Sequence, residues 1–238
     1  MRLPSTAPLF PPAISECIKV VHSFEELAGT PFAYGVNALC WPRSLDGDFA
    51  EIVEKIASSD AMTLLDANLL GRLNASPGGI KAIDIMLEDQ RMLSDLGLDA
   101  ALNCIHAYPS DDAEAPIATD VFSFHVDSAP IPSETWLCTY FGESSEGLYN
   151  AEATRHVDIP ATRDRLLKLY GGADDEGFCE FLSENCYDLH YAALPHAKPY
   201  PFGTANLWRI AVKYPDCPVP PCIHRAPRTD SARLLLIS

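Results

Sequence analysis

The sequence predicts an α+β fold whose specific form is a jelly-roll barrel backed by helices, and three observations predict it. Apolar residues at helical spacing concentrate in the N-terminal third. Short β-rich segments punctuated by prolines dominate from about residue 98 onward. A single helical stretch, about 161–200, interrupts those strands as an insert. Segregated helices stack against an antiparallel sheet or barrel, whereas a doubly wound sheet requires strict strand–helix alternation.

The elements follow in order. Residues 1–15 read as a proline-rich arm, and 16–238 as a single domain. AYGVNALCW (33–41) is apolar, β-branched and aromatic, and predicts a strand or extended segment. GDFAEIVEKIAS (47–58) places Phe49, Ile52, Val53 and Ile56 at helical spacing, with Asp46 or Asp48 as N-cap. A stronger helix is expected from about Ile80 to Leu96, preceded by a turn at Pro77-Gly78-Gly79. The texture changes after Gly97: LDAALNCIHAYP (98–109) ends in a strand-like run, and the acidic SDDAEAP loop follows. VFSFHVD (121–127) and TWLCTYFG (135–142) read as strands, as do segments within 205–214, 220–227 and 233–238. Trp136 and Trp208 are expected in the core. Neither Gly78-Gly79 nor Gly171-Gly172 carries a nucleotide-loop frame.

Composition narrows the function classes. The 238 residues carry a formal net charge of −16 with no basic cluster, which disfavours nucleic acid and anionic membrane surfaces as partners. Hydrophobic residues at 47% suffice for a sizeable core. No segment reads as a signal peptide or a membrane span. The eight cysteines are irregularly spaced and are expected as reduced, mostly buried thiols of a cytoplasmic protein. Cys217 and Cys222 lack the second pair that a zinc knuckle needs.

The chemistry-bearing signal is Phe124-His125-Val126-Asp127. Residues i and i+2 of a strand project to one face, so His125 and Asp127 can offer an imidazole nitrogen and a carboxylate oxygen to one cation. His224, in Cys222-Ile223-His224-Arg225, is the best third ligand. Two histidines and one carboxylate on one face form the facial triad with which Fe(II) holds a co-substrate and oxygen together. Alone, an H-x-D is better read as a structural hydrogen-bonded pair. Arg233 shifts the balance, because it follows His224 by nine residues and opens RLLLIS. An arginine there can anchor the distal carboxylate of a metal-chelated 2-oxoacid. The competing reading of Arg233 is a surface salt bridge at a strand start.

This order of H-x-D, distal His and trailing Arg resembles the Fe(II)/2-oxoglutarate-dependent oxygenase superfamily. More closely, FHxD at 124–127, LCTYxG at 137–142, IHRxP at 223–227 and RLLL at 233–236 resemble a small-protein family of unknown function, and the likeness extends to YGVNALCWPR at 34–43. The resemblance implies a double-stranded β-helix, with Fe(II) on His125, Asp127 and His224. It also implies 2-oxoglutarate and O2 as co-substrates, with Arg233 on the far carboxylate. Either Thr139 or Tyr140 could bond 2-oxoglutarate, or the two are an ordinary strand pair. The retained Asp127 favours hydroxylation, desaturation or cyclisation over halogenation. One compact domain without a basic groove points to a small-molecule substrate, such as an amino acid or a natural-product intermediate.

Arg225 could meet an anionic substrate group or satisfy a nearby acid. His106 can point into the barrel, although a lone strand histidine is usually structural, and His156, His190 and His196 fall in or beside the insert without an assigned role. Two alternatives stay open. One is a cupin-like metalloenzyme that does not use 2-oxoglutarate. The other is a non-catalytic metal-binding protein favouring Zn(II), with Cys222 or Cys138 joining the site. A hydrolase is remote, since neither a G-x-S-x-G elbow nor an organised Cys–His pair is visible.

Overall fold

The computed structural model describes residues 16–56, 60–108 and 115–238. The expected arm at 1–15 and most of the acidic loop, 109–114, lie outside the described residues. The elements run β1 (Ile18–Val20), α1 (Phe24–Gly29), β2 (Ala38–Trp41), α2 (Phe49–Lys55), β3 (Met62–Leu65), α3 (Ala67–Gly71), α4 (Pro77–Asp95), β4 (Ala101–Ile105), β5 (Phe124–His125), β6 (Glu134–Phe141), β7 (Glu146–Leu148), β8 (Ala153–Arg155), α5 (Pro160–Tyr170), α6 (Glu176–Glu184), β9 (His190–Ala193), β10 (Tyr200–Pro201), β11 (Leu207–Ala211), β12 (Ile223–Arg225) and β13 (Arg233–Ile237). They form a mixed α+β structure of two curled, largely antiparallel sheets. The larger sheet has the order β1-β2-β11-β6-β13-β4-β3, and the smaller β10-β7-β12-β5-β9-β8. Only β1–β2 is parallel among the strand pairs. β4 pairs with β13, β5 with β12, β6 with β11, and β7 with β10.

Side-chain alternation explains why the larger sheet is the centre of the molecule. On β6, Trp136, Cys138 and Tyr140 face Leu27 of α1, Ile52 of α2, and Met86 and Leu93 of α4. Leu137, from the other face, packs with Trp208, Ile210 and Leu235 between the sheets. Both faces are covered, so β6 reads as a continuous apolar run rather than an alternating one. Trp136 and Trp208 are both buried in the core. The smaller sheet turns Phe124, Val126, Leu148 and Ile223 outward against Leu189 and Tyr191. The insert has its own cluster around Val157, Leu166, Phe178 and Leu182.

Several boundaries differ from the sequence reading. α4 begins at Pro77 rather than Ile80, since Pro77 at N1 is pre-set for a helix and Ser76 caps it, accepting from the Gly79 N–H at 3.2 Å. A Cβ at Gly79 would collide with the Glu51 carboxylate, which accepts from the Ser76 N–H at 2.8 Å. The glycines therefore serve close helix approach, not a turn. Asp48, not Asp46, caps α2. The N-terminal third also contributes β1 and β3 to the edges of the larger sheet, and the insert region contains β9 and β10. These strands are two to four residues long, too short to impose a period. Of the cysteines, Cys40, Cys104, Cys138 and Cys222 are buried, whereas Cys179 and Cys186 are exposed. No helix among the described residues is long and apolar enough to cross a membrane.

One buried ion pair ties α4 to the sheet. Arg43 binds Asp89 bidentately at 2.6 and 2.7 Å, and Tyr140 donates to Asp89 Oδ2 at 2.7 Å. Removing one partner of such a pair strands an uncompensated buried charge. Asp89→Ala is expected to lower stability by about 3–5 kcal/mol in equilibrium denaturant unfolding, with Arg43 the group left unpaired.

Candidate metal centre

β5 is only two residues long, yet it fixes two side chains. Phe124 and Val126 insert outward into the apolar cluster, which sends His125 and Asp127 inward. Antiparallel pairing with β12 sets His224 opposite His125. The ring centroids are 4.6 Å apart. His125 Nε2 lies 4.0 Å from Asp127 Oδ1, and His224 Nε2 lies 3.7 Å from Asp127 Oδ2. One ligand atom from each of the three residues falls within 4.8 Å of the others. Adjacent ligand atoms on one cation sit about 3 Å apart, so holding a cation would draw the three side chains closer together.

The surroundings prepare these atoms for a cation. His125 Nδ1 contacts Ser123 O at 2.7 Å, and His224 Nδ1 contacts Cys222 O at 3.3 Å. A carbonyl only accepts, so each Nδ1 carries the proton and each Nε2 lone pair faces the centre. Thr135 Oγ1 donates to Asp127 Oδ2 at 2.5 Å. Burial, reinforced by adjacent His224, holds the His125 pKa below the ordinary histidine value. Burial pushes the Asp127 carboxyl up, but His224, the Thr135 hydroxyl and His125 outweigh it and leave it below the usual carboxylate value. The cluster thus offers a neutral imidazole and a carboxylate at neutral pH.

A cross-strand row extends the site: His190 on β9, His125 on β5, His224 on β12, Gly147 on β7 and Tyr200 on β10 are successive partners. The Tyr200 ring fills the space that a Cβ at Gly147 would need. His190 is buried, with its ring centroid 5.6 Å from that of His125, but it is not one of the three clustered ligands.

The cluster opens into a cavity of about 240 Å³ between the two sheets, which Arg233, Tyr108 and Ser145 also line. Arg233 is 1% exposed, which removes the surface salt bridge as its explanation. Its guanidinium donates to Glu143 O at 2.8 Å, Tyr108 Oη at 2.7 Å, Ser145 Oγ at 3.2 Å and Thr139 Oγ1 at 3.4 Å. None of these is a carboxylate, and no ion pair engages Arg233 among the described residues. Burial pulls its pKa below the ordinary arginine value, with Tyr108 and Glu143 opposing.

The remaining candidates separate by face. Thr139 shares the cavity side with Arg233. Tyr140 points the other way, to Asp89 and a stacked Phe49 ring at 5.4 Å, so strand alternation withdraws it from any cofactor contact. Arg225 alternates with His224 and faces outward, paired with Glu146 at 2.7 Å and seated over the Phe124 ring. It satisfies a nearby acid rather than a substrate. His106 contacts Cys104 Sγ at 3.6 Å, on the helix side of β4. His156 is half-buried on a 3-10 turn and His196 is exposed. Cys138 faces the helices, and Cys222 packs near Tyr200; neither thiol joins the ligand cluster. Sequence reasoning missed Tyr108, Ser145 and Thr135, which carry no spacing signal because separate strands and loops bring them together.

Comparison of the chain with protein-family models, curated proteins and solved structures finds no match.

Two outcomes follow for metal binding. Thr135→Val is expected to weaken divalent metal binding by about 10–100-fold in chelator competition, and His224→Ala to abolish it. Because the His125 pKa is lowered, its protonation competes with metal only below the ordinary histidine range. The share of affinity due to His125, read as the wild-type to His125→Ala ratio in chelator competition, should therefore persist down to that range and be lost below it.

Proposed function

We propose that the chain is an Fe(II)- and 2-oxoglutarate-dependent oxygenase, built on a double-stranded β-helix, that oxidises an unactivated C–H bond of a small molecule. One observation carries the reading: a buried guanidinium without a carboxylate partner among the described residues shares a cavity with a His–Asp–His cluster. The nested pairing of β4 with β13, β5 with β12, β6 with β11 and β7 with β10 supports the fold assignment. A long antiparallel hairpin rolled across two sheets has that connectivity.

The donor set fits the metal. Two imidazoles and one carboxylate, without a thiolate, suit Fe(II) with positions left for co-substrates. His125, Asp127 and His224 would hold it, and Arg233 would hold the distal carboxylate of 2-oxoglutarate, with Thr139 beside it. Bound there, Fe(II), 2-oxoglutarate and O2 supply the oxidising power, with 2-oxoglutarate converted to succinate and CO2. The chain's own contribution is orientation. Thr135 fixes Asp127, while Tyr108, Ser145 and the Glu143 carbonyl hold the Arg233 fork in one plane. Leu137, Leu235 and Ile237 keep water from the reacting face.

The hydrogen bonds already engaging Arg233 favour one second reading, a cupin-like metalloenzyme in which this arginine is structural or meets the substrate directly. Anaerobic titration separates the two. With Fe(II) loaded, 2-oxoglutarate should produce the weak visible charge-transfer band of a chelate in wild type and none in His125→Ala. Arg233→Met should need about 10–100-fold more 2-oxoglutarate, as loss of a charge-assisted hydrogen bond implies. Fe(II) binding without a band overturns 2-oxoglutarate dependence and leaves the cupin-like reading.

A further inference from the structure

The inner face of the larger sheet continues past the cavity. Strand register places Met62, Ile105 and Arg233 in one row, and Leu64, Asn103, Leu235 and Thr139 in the next. Ile105 and Leu235 are buried, but toward the β3 edge Met62 is 45% and Leu64 64% exposed. Val121, 37% exposed, flanks the same opening. Met62 and Leu64 thus continue the inner face beyond the cavity as an apolar shelf exposed at the β3 edge. Apart from the His–Asp–His cluster and Arg233, no charged side chain lines the cavity among the described residues. Asn103 is buried there, and among the described residues its side-chain amide makes one long contact, 3.4 Å to Ala101 O.

From this charge accounting we infer that the substrate is a neutral, largely apolar molecule, seated on the Met62–Leu64–Ile105 shelf with a hydrogen-bonding group toward Asn103. The inference rests on the oxygenase reading above, which assigns Arg233 and the cluster to the co-substrate and metal. A free amino acid would bring an ammonium and a carboxylate into a wall that, among the described residues, offers neither a spare acid nor a spare base, and burying unpaired charge is strongly unfavourable. A neutral apolar body instead covers side chains that otherwise face water, at a site continuous with the reacting centre.

The test uses N-phenylnaphthylamine, a neutral apolar fluorophore with a single N–H, on the full chain loaded anaerobically with Fe(II) and 2-oxoglutarate. Saturable binding is expected, weakened at least about tenfold in Met62→Glu and Leu64→Glu, since each sets a charge on the shelf. Both sites are exposed enough to tolerate the change. Leu169→Glu, on an exposed position of α5, should leave affinity unchanged. Naphthol should displace the probe, and zwitterionic phenylalanine at equal concentration should not. Unchanged affinity in both shelf variants, equal displacement by phenylalanine, or no wild-type binding overturns the inference. The charge-transfer band is read in the same samples. A band without probe binding sinks the shelf alone, and shelf-dependent binding without a band supports the shelf while sinking 2-oxoglutarate dependence.

Discussion

The antiparallel register of β12 against β5 is the constraint on which the rest of the cavity depends. It sets His224 opposite His125, and the two-residue period then carries Asp127 to the same side. Ile223 and Val126, the intervening residues, are fully buried on the other face. A slip of one residue would turn the imidazole into that apolar cluster and Ile223 into the cavity, an exchange that costs burial on both faces. Packing and ligand placement are therefore one decision, made by the alternation of four short segments. Gly147 belongs to it as well, because its missing side chain lets the Tyr200 ring complete the row beyond His224.

Three largely buried arginines show how this protein treats a guanidinium. Arg43 has a bidentate carboxylate in Asp89. Arg209 pairs with Glu134 at 2.5 Å and also donates to the carbonyls of Leu27, Ala28 and Thr30 at the end of α1. Arg233, the most buried, donates to a carbonyl and three hydroxyl groups and lies over the Tyr108 ring. Where the arginine is structural, a carboxylate neutralises it. Where it faces the cavity, the charge is oriented by neutral groups, Glu143 acts on it only through space, and no carboxylate bonds it among the described residues. Under the proposed function, an anion arriving from solvent would supply Arg233 with the carboxylate partner that Arg43 and Arg209 already have within the fold.

Much of this was legible in the sequence. The i, i+2 spacing in Phe124-His125-Val126-Asp127, the long helix expected at about 80–96 and found at 77–95, and the apolar runs of β6, β11 and β13 all follow from period and composition. What was not legible depended on tertiary contact. Tyr108, Ser145 and Thr135 reach Arg233 or Asp127 across the fold. β1, β3, β9 and β10 are stabilised by the neighbours they pair with, not by their own pattern. Tyr140 stayed open beside Thr139 because adjacent strand residues look alike until one face is known to meet a helix.

That last ambiguity also shows how the helical layer reaches the cavity. β13 pairs Leu234 with Phe141 but Leu235 with Thr139, so the register shifts and Tyr140 is the extra residue of a bulge. Tyr140 and the next residue, Phe141, both pack against the helix-side cluster. Strict alternation would instead have turned the Phe141 ring toward Arg233. Gly142 follows at φ 83, where Ala232 O leaves no room for a Cβ, and the chain then enters the loop whose Glu143 carbonyl and Ser145 hydroxyl accept from Arg233. The Arg43–Asp89–Tyr140 network anchors this bulge from outside while Thr139 contacts the guanidinium from inside. The bulge thus sets Tyr140, which bonds the buried Asp89, next in sequence to Thr139, which accepts from Arg233, and it turns the Phe141 ring away from the guanidinium.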